Sequence, residues 1–120
     1  MGAATTAFLE ELSRRGHEPM LETTTGTIRF DLAKKGGPAE RWLISIDKGD
    51  IDVSHKRGEP ECIVRSSDEL FDRITSGEKN AFAAALRGEV IIEGESRLLV
   101  RFQGLFPSPP RTTARKGRKR

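Results

Sequence analysis

The sequence predicts an α+β fold, a five-stranded, mostly antiparallel sheet with helices packed on one face. Three observations lead there. The apolar residues first recur at helical spacing, then switch to a period of two, then return to helical spacing with one more short strand among the helices. Turn residues (Gly, Pro, Asn, Asp) punctuate each change. Runs of strands followed by helices belong to folds in which helices cover one face of a sheet.

The first helix is read over Thr6 to Arg15. Phe8, Leu9 and Leu12 fall on one side and Glu10, Glu11, Arg14 and Arg15 on the other, with Gly16 as the stop. A loop holding Pro19 follows. In TIRFDLA, Ile28, Phe30 and Leu32 alternate with Arg29 and Asp31, the pattern of a strand with one covered face. In RWLISID, Trp42, Ile44 and Ile46 share a face, and the run is apolar enough for a central strand. Asp47-Lys48-Gly49-Asp50 reads as a tight hairpin turn into IDVSH. Arg57-Gly58-Glu59-Pro60 reads as another turn, leading to a fourth strand, ECIVRS. With three hairpin connections in succession, the expected topology is an antiparallel meander.

Ser66-Ser67-Asp68-Glu69 has the form of a capping box, with Ser66 as the cap, and opens a helix carrying Leu70, Phe71 and Ile74. Gly77 ends it. A short helix from Asn80 to Arg87 is expected to cover Ala81, Phe82, Ala85 and Leu86. EVIIE is the fifth strand. Beyond Gly94, Leu98, Leu99, Phe102, Leu105 and Phe106 form the apolar stripe of a last helix, stopped by Pro107, Pro109 and Pro110.

A chain of 120 residues suits one domain. Six of its 21 basic residues lie within RTTARKGRKR at 111–120, against a net charge of +3, so the first 110 residues carry −3. The basic character belongs to this segment, which has too few apolar residues to order itself. The expected organisation is therefore a domain over residues 1–110 and a disordered basic tail over 111–120. Such a tail suits transient contact with an anionic membrane. Nucleic acid is disfavoured as a partner, because the body is acidic and has no Tyr for stacking. No apolar run reaches the roughly 20 residues of a membrane span, and the first residues lack the apolar core of a secretory signal. The single cysteine, Cys62, precludes an internal disulfide. The expected location is cytoplasmic.

No catalytic constellation, metal set or cofactor motif stands out. His17 and His55 are the only histidines, and with Cys62 they are too few for a structural zinc site. Asp47, Asp50 and Asp52 lie beside a turn and lack the twelve-residue calcium loop, so a solvated hairpin tip is expected. Cys62 and His55 lie on consecutive predicted strands, yet no orienting group accompanies them, and a buried strand cysteine is inert. What does stand out is the apolar content of the three short helices after Ser66.

The order of these motifs resembles the sterol carrier protein 2 family over about residues 6 to 106. The likeness is carried by Trp42, Gly49, Ser66, Phe71, Gly77, Asn80, Ala83, Gly88, Ile92, Gly94 and Leu98, with TIRFDL matching the family's first strand. The resemblance implies an apolar tunnel between sheet and helices that holds a sterol, a fatty acid or an acyl-CoA, and no catalysis. The residues expected to line it are Trp42, Phe71, Ile74, Phe82, Leu86, Leu98, Leu99, Phe102, Leu105 and Phe106. Many family members end in a peroxisomal tripeptide, whereas this sequence ends Arg-Lys-Arg. The competing expectation is an accessory or regulatory domain that binds an isoprenoid lipid or a partner protein for another pathway.

Overall fold

A computed structural model describes residues 2–56 and 58–107. The predicted tail at 111–120, the prolines at 109 and 110, and position 57 of the predicted turn lie outside the described residues. The chain runs α1 (Ala3–Arg15), a single 3-10 turn (Pro19–Leu21), β1 (Thr25–Ala33), β2 (Glu40–Asp47), β3 (Asp50–Ser54), β4 (Cys62–Ser67), α2 (Asp68–Thr75), α3 (Ala81–Leu86), β5 (Ile91–Gly94) and α4 (Ser96–Gln103).

The strands form one five-stranded sheet in the order β3-β2-β1-β4-β5. The β2–β3 hairpin closes through Lys48 and Gly49, both at positive φ (50° and 91°), with Asp47 paired to Asp50. Two such residues in succession give the turn whose twist matches that of the strands. β1 pairs antiparallel with β2, bringing Phe30 opposite Trp42, and β4 pairs antiparallel with β5.

The meander stops at β3. β4 lies beside β1 and parallel to it, with Ile28 opposite Cys62 and Phe30 opposite Val64. The segment 55–61 is therefore a crossover past β2 and β1. Three strand spacings amount to about 14 Å, well within the reach of seven extended residues, about 24 Å. The turn chemistry of Gly58 and Pro60 suits a crossover as well as a hairpin. The pairing is decided by burial: β1 and β4 together place Ile28, Phe30, Leu32, Cys62 and Val64 on the covered face. The crossover is anchored on β1 by Glu61 N–H, which donates to the Thr27 carbonyl at 3.1 Å. β1 is the central strand, and β2 lies next to it.

The helices take the face bearing the even-numbered residues of β1. α1 packs on β3 and α2, and α2 and α4 pack on β1 and β4. α1 and α2 are tied by the Thr5 N–H, which donates to Asp72 Oδ1 at 2.9 Å, and by the buried Thr5–Thr75 hydroxyl pair at 3.2 Å. The cap of α2 is Ser67, whose Oγ accepts from Leu70 N–H at 3.1 Å. Ser66, the predicted cap, is still in β4 and is buried. Only Ser66 stands three residues before an acidic residue, Glu69, yet its inward phase in the strand buries it and leaves the capping to Ser67. Asn80 caps α3 as expected, accepting from Ala83 N–H at 2.9 Å.

α3 corrects one assignment. Its buried residues are Ala81 and Ala84, while Leu86 is 90% exposed. Leu86 follows Ala81 by five positions, which turns it about 140° away around a helix of 3.6 residues per turn. A six-residue helix with small residues inside lets the backbone come close and leaves its last side chain outside.

Candidate functional site

The apolar interface between sheet and helices is the largest feature the fold builds. Its floor is Ile28, Phe30 and Leu32 of β1 with Ile44 and Ile46 of β2 and Val64 of β4, all at most 2% exposed. Its roof is Leu9 and Leu12 of α1, Phe71 and Ile74 of α2, and Leu98, Leu99 and Phe102 of α4, also at most 1% exposed. These sides follow directly from the two periods: alternation supplies the floor, and i, i+3, i+4 spacing supplies the roof.

At the centre five phenylalanine rings touch in a chain. Phe30 meets Phe71 at 5.0 Å and Phe102 at 5.7 Å between ring centroids. Phe106 meets Phe102 edge-on at 5.5 Å and Phe71 at 5.9 Å. Phe8 stacks on Phe106 at 5.1 Å and meets Phe102 edge-on at 6.2 Å. Phe8 and Phe106 are only partly buried, so the cluster runs from the sheet to the surface between α1 and the end of α4.

Of the ten residues singled out in the sequence, Phe71, Ile74, Leu98, Leu99 and Phe102 are buried together in this interface. Trp42, Phe82, Leu105 and Phe106 pack against it from its margins. Leu86 is not part of it. Phe8 and Phe30 belong to the ring cluster but were not among the ten. Their signal is present in the sequence, since Phe8 shares the helical face of Leu12 and Phe30 alternates with Ile28 and Leu32, but the same pattern marks any core position.

Trp42 is partly buried, with its ring 4.0 Å from that of His55. Its buried Nε1–H has no partner among the described residues. His55 Nδ1 lies 2.8 Å from the Arg41 carbonyl, an acceptor, so this nitrogen carries the proton. Cys62 is fully buried. Burial pushes its thiol above the ordinary value, outweighing a hydrogen bond with the Leu99 backbone. It is therefore a poor nucleophile. Nor do Cys62 and His55 lie on adjacent strands, since β2 and β1 stand between β3 and β4.

His17 is held by two carboxylates, with Nδ1 2.7 Å from Asp50 and Nε2 3.1 Å from Glu22. Hydrogen bonding to Asp50, then to Glu22, raises its pKa above 6.5. Asp50 thus serves the hairpin by fastening it to the chain after α1. No helix among the described residues is long and apolar enough to cross a membrane.

The fold matches that of solved sterol carrier protein 2 domains. The sterol carrier protein domain 2 of Helicoverpa armigera superposes with a TM-score of 0.69 at 21% identity, over 85% of this chain and 84% of that one. The sterol carrier protein 2 of Yarrowia lipolytica in its apo form gives 0.66 at 18% identity, over 85% and 86%. A palmitated sterol carrier protein 2-like protein of Aedes aegypti gives 0.65 at 16% identity, over 91% and 97%. No curated protein sequence matches. The family model described as the SCP-2 sterol transfer family matches residues 7–107, from within α1 to just past α4, and the chain belongs to that family.

Proposed function

We propose that this chain holds one apolar lipid, a sterol, a fatty acid or an acyl-CoA, between its sheet and its helices, and that it catalyses no reaction. The observation that carries this reading is the phenylalanine chain leading from Phe30 at the sheet to Phe8 and Phe106 at the surface. A ligand entering there replaces ring–ring contacts by ring–methylene contacts and gains about 0.8 kcal/mol per methylene withdrawn from water. Few directional groups take part, so selectivity among long-chain ligands is broad. The inert thiol of Cys62 fits a carrier rather than an enzyme.

The moving part in this reading is the α3–α4 half. α3 has only six residues, and α4 follows Glu95, whose side chain does not cap it. Short and sparsely capped elements open at low cost. The basic segment 111–120 is proposed as a separate electrostatic contact to an anionic membrane. Truncation after Pro110 then leaves ligand affinity unchanged and weakens binding to anionic vesicles.

The test is native mass spectrometry of the purified protein with lipid extraction, followed by titration of the delipidated protein with a fluorescent fatty acid and a fluorescent sterol. One bound lipid per chain, and saturable binding at about micromolar Kd or tighter, is the expected result. An isoprenoid as the sole co-purifying lipid points instead to the accessory-domain reading. No bound lipid and no saturable uptake of either probe contradicts the proposal.

A further inference from the structure

The sheet has a second face, turned away from the helices, with three arginines grouped near its middle. Arg29 of β1, Arg41 of β2 and Arg65 of β4 all project there around Asp31, which is only 8% exposed. Arg29 grips Asp31 with two bonds, Nε–H to Oδ1 at 2.8 Å and Nη2–H to Oδ2 at 3.0 Å. One bidentate arginine neutralises one carboxylate. Arg65 donates instead to Glu93, Nη1 to Oε2 at 2.7 Å, and stands 3.8 Å from Asp31. Arg41 also stands 3.8 Å from Asp31, beyond hydrogen-bond distance, and its side chain is 65% exposed. Its guanidinium is the one of the three without a hydrogen-bonded carboxylate.

Where the crossover passes over this face it walls a cleft of about 410 Å³, lined by Arg29, Arg41, Leu43, His55, Lys56 and Gly58. No acidic side chain is among these lining residues. Lys56 has no ion pair among the described residues. The cleft therefore collects two exposed cations in a concave wall: Lys56, and Arg41, which shares the one carboxylate of Asp31 with Arg29 and Arg65. Its geometry is fixed from beneath by the Arg29–Asp31 fork and at its side by the His55–Arg41 backbone bond. Cations that outnumber the carboxylates beside them and converge in a cleft favour a compact anion with several acceptor oxygens.

We propose that this cleft is a binding site for a phosphate monoester, held by Arg41 and Lys56. It lies on the opposite side of the sheet from the phenylalanine cluster, so it stands whether or not a lipid occupies that cluster. The phosphate has two sources, a small soluble phosphomonoester or the headgroup of a lipid such as phosphatidic acid, and the two are separable.

Trp42 is the sole tryptophan, and its ring touches His55, a wall of the cleft. It is a built-in reporter. The experiment is a two-dimensional NMR titration of the full chain with inorganic phosphate and with glycerol 3-phosphate. Chloride keeps the ionic strength constant, so that general screening does not vary. Saturable shifts are expected at residues 41, 55, 56 and 58 and at the Trp42 indole. The double variant Arg41→Gln/Lys56→Gln is expected to weaken binding at least about tenfold, the scale of losing a charge-assisted bond. Arg14→Gln, on an exposed part of α1, should leave it unchanged. Both substituted residues of the double variant are on the surface, and an unchanged thermal unfolding curve verifies its fold.

Vesicles containing phosphatidic acid form the second arm. Wild-type vesicle binding that the double variant loses, and that free phosphate competes away, assigns the site to a headgroup. Saturable binding of the soluble esters without such competition assigns it to a free phosphomonoester. Non-saturating shifts spread over all basic residues, or equal affinity in the wild type and the double variant, overturn the proposal.

Discussion

Phe102 links the sheet to the surface end of the ring cluster. It is fully buried and in ring contact with Phe8, Phe30 and Phe106. Truncating a buried phenylalanine costs its transfer energy and leaves a cavity, typically 3–5 kcal/mol together. Phe102→Ala is therefore expected to lower unfolding stability by about 4 kcal/mol, measurable by urea denaturation. Phe102→Leu keeps most of the volume and is expected to lose less than half of that, which separates packing loss from a general failure to fold. His17 makes a different contribution. Its folded-state pKa is raised by Asp50 and Glu22 above 6.5. The folded chain thus binds the proton more tightly than the unfolded chain. The stabilisation is fully present below pH 6.5 and fades as pH rises through the raised value. The expected outcome is an unfolding midpoint that falls across that window in the wild type and falls less in His17→Asn.

At the scale of elements, caps and close approaches decide the boundaries. Ser67→Ala removes the side-chain cap that accepts from Leu70 N–H in the first turn of α2 and is expected to cost about 1 kcal/mol. Ser66→Ala leaves that bond intact. Equal losses in the two variants would show that the cap is misassigned. Gly94, at φ 86°, brings β5 so close to the crossover that a Cβ there would sit 2.3 Å from the Glu61 carbonyl oxygen. Backbone cannot yield as a flexible side chain can. Gly94→Ala is expected to destabilise by several kcal/mol, beyond the roughly 1 kcal/mol of ordinary left-handed strain, and to release amide protection in β5 first.

These same elements show which parts of the sequence were legible. The alternation Ile28-Phe30-Leu32, the hairpin at Lys48-Gly49 and the Asn80 cap are local signals, and each appears in the structure where its chemistry requires it. The β3–β4 connection was not legible, because residues 55–61 obey the same turn preferences whether the chain folds back or crosses over. Only pairing with a distant strand distinguishes the two, and that pairing is set by how much apolar surface β1 and β4 cover together. The exposure of Leu86 escaped for a related reason. In so short a helix one face is determined by what packs on it, and Ala81 and Ala84 offered a closer fit than Leu86.

For the whole molecule, the sheet separates two unlike surfaces. One is apolar and roofed by α1, α2 and α4, and the other carries the arginines around Asp31. Half of the ten expected site residues gather in the roof because helical spacing places them there together. Phe8 and Phe30 escaped because a core position and a ligand wall have the same sequence pattern. The central claim, that the apolar interface admits a lipid chain, is tested most directly by isotope-edited NMR on the delipidated protein with uniformly carbon-13-labelled palmitate. The expected result is a set of intermolecular contacts from chain methylenes to the rings of Phe102 and Phe106 and to the methyls of Leu98, at one palmitate per protein. Contacts confined to exposed residues such as Leu86, or none at all with the ring cluster unchanged, would contradict the account.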